Sequence, residues 1–337
     1  MNIQEILLSL DESTKRELLE ALSKEFTTQP DLGKYKDELS INHRTNCPHC
    51  KSDRILGHGK FKGRLRYRCS ECRKTFTGLT GTTASGIHKV AEFEQLVELM
   101  IEGISIRKAA AKLKVTMSTI FTWRHKILAS LSETNNQDFT GIVECDDKQL
   151  NISEKGNRVL ERESFKRPSD RKTKRGVSND KVSVVVACDR TGKTTMQVAK
   201  IGRIEADSLE KTVGNMITKD NILCSDSHPS IIAWAKSKEL EHHTFIANKN
   251  HIKNKCYHVQ HVNSIDNRYE RWVSQFYGIA TKYLQNYLNW FVFVQKSKKS
   301  LQPVRDLAKE IVMNIESKAE YFQIDKRYKE LKLATVI

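Results

Sequence analysis

Apolar residues recur along this chain at two different spacings, and the change falls near residue 141. Before it the period is helical. Ile3, Ile6, Leu7 and Leu10 form one face, and Leu18, Leu19 and Leu22 another. Residues 1–27 therefore read as two helices, the second capped by Thr14 with Glu17 three positions on. A polar stretch, Thr27 to Asn42, follows. Phe93, Leu96, Val97, Met100 and Ile101 restore the i, i+3, i+4 pattern and predict a helix from about 91 that Gly103 ends. Two shorter helices are expected over 105–113 and 116–129, then a polar linker over 132–140.

Beyond the linker the pattern is that of strands, predicted over 142–152, 182–189 and 194–201, the last two joined by the turn Asp189-Arg190-Thr191-Gly192. Helices are expected over 205–217, 229–238 and 263–294, with short strands over 221–225 and 243–248. This order predicts an α/β fold, a mixed sheet covered by helices. An amphipathic helix over 303–317 and a charged tail complete the expectation.

Charge adds a partner to the picture. The 337 residues carry 57 Lys and Arg against 41 Asp and Glu, a formal net charge of +16. Such a surplus favours a polyanion, because cations displace the counterions condensed on phosphates. No apolar run approaches the ~20 residues that span a bilayer, and the N-terminus lacks the basic start and small-residue cleavage site of a signal peptide. The expected setting is the cytoplasm, in association with the nucleoid, and no membrane partner is expected. Eight cysteines in that compartment point to metal ligands or buried residues rather than disulfides.

Four of them are paired. Cys47-Pro48-His49-Cys50 and Cys69-Ser70-Glu71-Cys72 are CxxC knuckles eighteen residues apart. A two-residue gap lets both sulfurs of a knuckle reach one tetrahedral ion, so a zinc ribbon with structural Zn²⁺ on Cys47, Cys50, Cys69 and Cys72 is expected. Cys145, Cys188 and Cys224 fall in predicted strands and read as small buried apolar residues. The two short helices have the composition of a helix-turn-helix: small alanines at 109–111, a short turn, and hydroxyl residues opening the second helix. Ser118, Thr119, Thr122 and Arg124 are expected to face a DNA groove, with Ile120, Trp123 and Ile127 packed inward.

The acids form a further constellation. In Gly141-Ile142-Val143-Glu144-Cys145-Asp146-Asp147, strand alternation puts Glu144 and Asp146 on one face and Asp147 on the other. Asp226 ends a later strand. Asn263, Asp266 and Glu270 share one face of the helix after it. Two strand carboxylates and a helical oxygen ligand are the chemistry that holds two divalent ions about 4 Å apart. Lys166, Arg167, Arg171, Lys172, Lys174 and Arg175 crowd the loop between the first two strands and are expected to contact phosphates. His242, His243, His251, His258 and His261 are too irregularly spaced to read as a second metal set. Trp272, Tyr283, Tyr287 and Trp290 recur at helical spacing and read as core rather than as a platform for stacked bases.

Taken together, Gly141–Asp147 with Ser153-Glu154-Lys155-Gly156, Lys174–Ser178 leading into Val182–Asp189, Leu223–Asp226, His258–Asn263 and Phe276–Leu288 resemble the insertion-sequence DDE transposases of the ISXO-like group. The resemblance spans about residues 46 to 293. It implies an RNase H-like catalytic domain behind the zinc ribbon and the helix-turn-helix. It implies Asp146 and Asp226 as ligands of catalytic Mg²⁺ or Mn²⁺, with the third position, Glu or Asn in the family, falling on Asn263. Two departures stand out. Glu270 occupies a position that is commonly Lys, and Asp147 one that is commonly Glu. Arg268 or Arg271 is then the expected substitute for the lysine's contact with DNA, and Asp266 supplies the charge that Asn263 lacks. The implied reaction is cleavage and strand transfer of double-stranded DNA by a homo-oligomer. A catalytically inactive DNA-binding regulator is the alternative. The expected organisation is a helical region at 1–42, ribbon at 43–80, helix-turn-helix region at 88–131, catalytic domain at 141–295 and C-terminal helix and tail at 296–337.

Overall fold

A computed structural model describes residues 11, 13–15, 17, 45–61, 64–132, 138–160, 181–246, 256–298, 300, 303–314 and 317–333. The first two predicted helices lie largely outside these residues, as do Lys166, Arg167, Arg171, Lys172, Lys174, Arg175 and His251. Where residues 11–17 are described, Asp11 rather than Thr14 caps the turn, its Oδ1 accepting from the Thr14 N–H at 2.8 Å. Two compact units are formed. One comprises residues 1–104 with 297–315, the other 105–296 with 316–337.

In the first unit, β1 (Ile55–Phe61), β2 (Arg64–Cys69) and β3 (Thr75–Thr77) make an antiparallel sheet in that order. Its core is small: Cys47, Tyr67, Cys69 and Phe76. Lys51 and Arg73 each follow the second cysteine of a knuckle and take left-handed φ values of 63° and 58°. That turn folds each pair of sulfurs back towards the other. Cys47 Sγ lies 3.6 Å from Cys72 Sγ, and Cys50 Sγ 3.6 Å from Cys69 Sγ. Tetrahedral Zn–S bonds of about 2.3 Å set sulfurs roughly 3.8 Å apart. The four cysteines converge as a zinc ribbon requires. Helix α1 (Val90–Ile101) buries Phe93, Leu96, Val97 and Met100 and packs with α8 (Pro303–Met313).

The second unit opens with α2 (Ile106–Leu113), capped by Ser105, and α3 (Met117–Ala129), capped by Thr116. Lys114 makes the left-handed turn between them. Ile120, Trp123 and Ile127 are buried, as their spacing predicts. Five strands follow in the spatial order β6–β5–β4–β7–β8: β4 (Ile142–Asn151), β5 (Lys181–Asp189), β6 (Thr194–Ile201), β7 (Ile222–Asp226) and β8 (Glu241–Phe245). β5 is antiparallel to β4 and β6, whereas β7 is parallel to β4 and to β8. One antiparallel meander continued by parallel crossovers, with the first strand central, is the RNase H-like arrangement.

Helices cover both faces. α4 (Ala206–Val213) and α5 (Pro229–Ser237) pack Leu209, Val213, Ile231 and Trp234 on Val143, Cys145, Val185, Ala187 and Leu223. α6 (Gln260–Ser274) and α7 (Leu284–Ser297) pack Val262, Ile265, Tyr269, Leu288 and Phe291 on Val182, Val184, Val186 and Cys188. β5 is thus buried on both sides, which is why Val184 to Cys188 reads as a continuous apolar run. The single helix expected over 263–294 is two helices. Tyr277 and Gly278 take φ values of 52° and 93°, which no helix continues through. The expected charged tail is instead helix α9 (Ser317–Leu333), with Ile324 buried. Among the described residues, no helix is long and apolar enough to cross a membrane.

Candidate active site

β4 carries Glu144, Asp146 and Lys148 on one face, and Glu144 and Lys148 bond to different turns of α6. Glu144 is 1% exposed. Its Oε2 accepts from the backbone N–H of His261 at 2.8 Å and of Val262 at 3.1 Å. These are free donors of the first turn of α6, which has no side-chain cap of its own. Lys148, at the other end, is also buried. Its ammonium lies 2.8 Å from Glu270 and 3.9 Å from Asp266. The strand and helix are therefore fixed at two points, and Asp146 falls between them.

Asp146 is surrounded by like charge. Cys145 pairs with Ser225 across the parallel β4–β7 ladder, so Asp146 and Asp226 follow in register on neighbouring strands. Burial pushes the Asp146 carboxyl up to about 7, helped first by the charge of Asp226 and then by those of Asp147 and Asp266. The Asp147 N–H, donating at 2.9 Å to Asp146 Oδ1, opposes this. Burial likewise pushes Asp266 up to about 6, against the nearby Lys148 and with Glu270 and Asp147. Asp226 is raised by burial and by Asp147, while the His228 N–H donates to its Oδ1 at 3.0 Å. Four carboxylates thus sense one another at the middle of the sheet. Asp147 lies on the opposite face, where Gln149 Nε2 donates to it at 2.6 Å. Among the described residues, the oxygens of Asp146, Asp226 and Asp266 do not all close to within 4.8 Å. Crowded anionic oxygens with raised protonation are the environment a hard divalent cation relieves.

Glu144, His258 and His261 do close to within 4.8 Å. Their common neighbour is Arg190, from the β5–β6 turn. Its Nη1 donates to Glu144 Oε1 and meets His261 Nδ1, lies 3.5 Å from His258 Nδ1, and its Nη2 donates to the Cys256 carbonyl at 2.9 Å. The guanidinium stands where a metal would, so as arranged this group holds an arginine. His258 is kept below its ordinary pKa by burial and by Arg190. The remaining histidines scatter: His242 bonds to Ser225 Oγ at 2.9 Å, and His243 stacks on Tyr257.

Other predicted residues are placed as follows. Asn263 is exposed one turn before Asp266, and the α6 charge that Asp146 feels is that of Asp266. Arg268 is held by Gln295 at 2.8 Å, while Arg271 is exposed. Ser118 is exposed, and Thr119 and Thr122 are half-buried. Arg124 departs from expectation. It is 1% exposed, with its guanidinium 5.1 Å from the Trp290 ring centre, and so is core rather than groove-facing. Strand alternation already placed Glu144 on the face of Asp146, but its role as the anchor of α6 was not read from sequence, and neither were the roles of Lys148 and Arg190.

A central strand and its parallel neighbour carrying adjacent acids, overlaid by a third on a helix, define an RNase H-like domain with an acidic centre. Residues 138–295 match the model of the ISXO2-like transposase domain. A relative from Halobacterium salinarum, an uncharacterized protein in transposable element ISH50, is 24% identical over 276 residues, covering 78% of this chain and 90% of that one. Two solved structures share the general likeness at 13% identity. A pre-cleavage Mos1 transpososome covers 69% of this chain and 79% of its own at TM-score 0.27. A mariner Mos1 paired end complex with Mg covers 68% and 78% at 0.24.

Proposed function

We propose that this chain is a DDE-type transposase that cleaves and rejoins double-stranded DNA with Mg²⁺ or Mn²⁺ held by Asp146, Asp226 and the α6 oxygens of Asp266 and Asn263. The observation that carries this reading is the register of Asp146 and Asp226 on adjacent parallel strands, with Asp266 raising Asp146 from above. Divalent ions bound there would activate a water or a DNA 3′-hydroxyl and stabilise the leaving oxygen. Asp146 and Asp226 supply the oxygens, Glu144 and Lys148 hold α6 over them, and Glu270 takes up the Lys148 charge. The helix-turn-helix residues Ser118, Thr119 and Thr122 meet DNA, as do Arg271 and the basic loop at 166–175. The ribbon holds one zinc ion. Joining two ends calls for at least two copies of the chain.

A plasmid carrying the gene with its flanking DNA tests this. The wild type with Mg²⁺ breaks the plasmid at the element's ends. Asp146→Asn and Asp226→Asn each bind it and cut at least about 100-fold more slowly. Undiminished cutting by either variant refutes the assignment. One observation favours a second reading, a catalytically silent DNA-binding regulator: Lys148 already places a cation between Asp266 and Glu270. That reading predicts binding without cutting in the wild type.

A further inference from the structure

A cleft of about 650 Å³ opens within the second unit, between α2 and α3 on one side and the turn after α6 on the other. Its lining is aromatic and basic: Phe121, His125, Phe276 and Tyr283, with Arg107 and Lys155 exposed beside them. None of these residues belongs to the acidic centre.

Two features of the cleft have no account in the fold. The first is His125, 1% exposed, with its ring centre 4.1 Å from that of Tyr283 and 4.5 Å from that of Phe121. Neither ring nitrogen has a hydrogen-bond partner among the described residues. Buried polar groups are nearly always paired, and an orphan lining a cleft points to a partner that arrives from outside. Burial, with the charges of Arg124 and Lys282, holds its pKa down to about 3, so the ring is neutral. It then offers one donor and one acceptor, the pairing that nucleobase edges present.

The second is Tyr277, which is 90% exposed at the rim. A large ring so exposed normally moves freely, but the backbone beneath this one is clamped. Lys155 Nζ donates to the carbonyls of Phe276, Tyr277 and Gly278 at 3.2, 3.1 and 2.9 Å. A fixed turn thus presents a bare phenol to solvent, next to an aromatic slot with positive charge on its rim.

We propose that this cleft receives an unpaired nucleobase from bound DNA, its face against Phe121 and Tyr283 and its edge on the His125 nitrogens, while Tyr277 fills the space the base leaves. Base faces stack on aromatic rings whatever their sequence, and a flanking phosphate meets Arg107. The proposal rests on the DNA-binding reading given above. A free nucleotide shares the same chemistry, and the experiment separates the two sources.

The zinc-loaded full-length chain is titrated by fluorescence anisotropy with a 30-base-pair duplex and with the same duplex carrying one mismatched base. The quantity read is the ratio of the two affinities, from which any general change in binding cancels. Unpairing the base in advance removes part of the extrusion cost, so the wild type prefers the mismatched duplex about tenfold. Tyr277→Ala brings the ratio to near one, and Tyr277→Trp restores it. His125→Phe keeps the ring but removes both nitrogens, and lowers the ratio several-fold, with its thermal unfolding curve as the check on folding. Loss of preference in either variant places the base at the cleft. A wild-type ratio of one, or a ratio that both variants retain, overturns the proposal. Millimolar dAMP displacing neither duplex supports the DNA source. With a wild-type ratio of one, displacement of the duplexes by dAMP assigns the cleft to free nucleotide instead. A chain that binds neither duplex defeats the DNA reading itself, and this proposal with it.

Discussion

Asp146 takes its importance from what surrounds it rather than from its own chemistry. Burial, and then the charge of Asp226, push its carboxyl up to about 7, far above the ordinary carboxylate value. The folded state therefore binds this proton more tightly than the unfolded state does. The contribution of Asp146 to the stability of the metal-free protein is fully present below about pH 4 and is lost as pH rises through about 7, an amount on the order of 4 kcal/mol. Asp266, raised to about 6, contributes in the same direction. Thermal melts across pH 5–8 in chelator check this. Asp146→Asn flattens the profile and stabilises the apoprotein at pH 8, and a mutant profile as steep as the wild type's contradicts the account. Arg124 carries the converse lesson. A cation in a recognition-like helix reads as solvent-facing, and nothing in the helical period announces that Trp290, far along the chain, lies over it.

Between elements, the decisive contact is that of α6 with β4. A carboxylate from a neighbouring strand supplies the cap that the helix lacks, and so sets which turn of α6 faces Asp146. Removing one member of a buried ion pair leaves the other uncompensated. Glu144→Ala is expected to cost about 3 kcal/mol in urea unfolding and to reduce cutting even though the residue touches no reacting atom. A loss under ~0.5 kcal/mol would show that Glu144 does not tether the helix. The strands were legible because β5 is apolar from Val184 to Cys188 and β4 alternates, and with them the face shared by Glu144 and Asp146. Arg190 was not, because it reaches Glu144 from a hairpin turn, and only the folded sheet brings the two together. The break after α6 was hidden because apolar spacing continues through residues 275–283, while the backbone there does not.

For the whole molecule, charge and metal decide the behaviour. With a net charge of +16, duplex binding should weaken at least about tenfold between roughly 50 and roughly 200 mM salt. A salt-independent affinity would argue against phosphate contacts. Among the described residues the ribbon's buried cluster is four residues, two of them cysteines of the knuckles. A core so small is expected to need a metal to stay folded. Chelation should expose the thiols of Cys47, Cys50, Cys69 and Cys72 together, read by thiol titration, while the melting of the sheet unit is retained. Protection of those thiols without metal would rule out a zinc-dependent ribbon. The CxxC spacing made this site readable from sequence alone, since two-residue gaps fix the geometry locally. The acidic centre depends instead on strand register across eighty residues, and there the family resemblance supplied what periodicity could not.

The central claim is that Asp146 and Asp226 gather divalent ions at the middle of the sheet. Electron paramagnetic resonance of Mn²⁺ added to the zinc-saturated full-length protein reads this without any DNA substrate. The account predicts that the wild type takes up Mn²⁺ and that the Asp146→Asn/Asp226→Asn double variant, folded by its melting curve, loses that uptake. Equal Mn²⁺ uptake by the two proteins would contradict it.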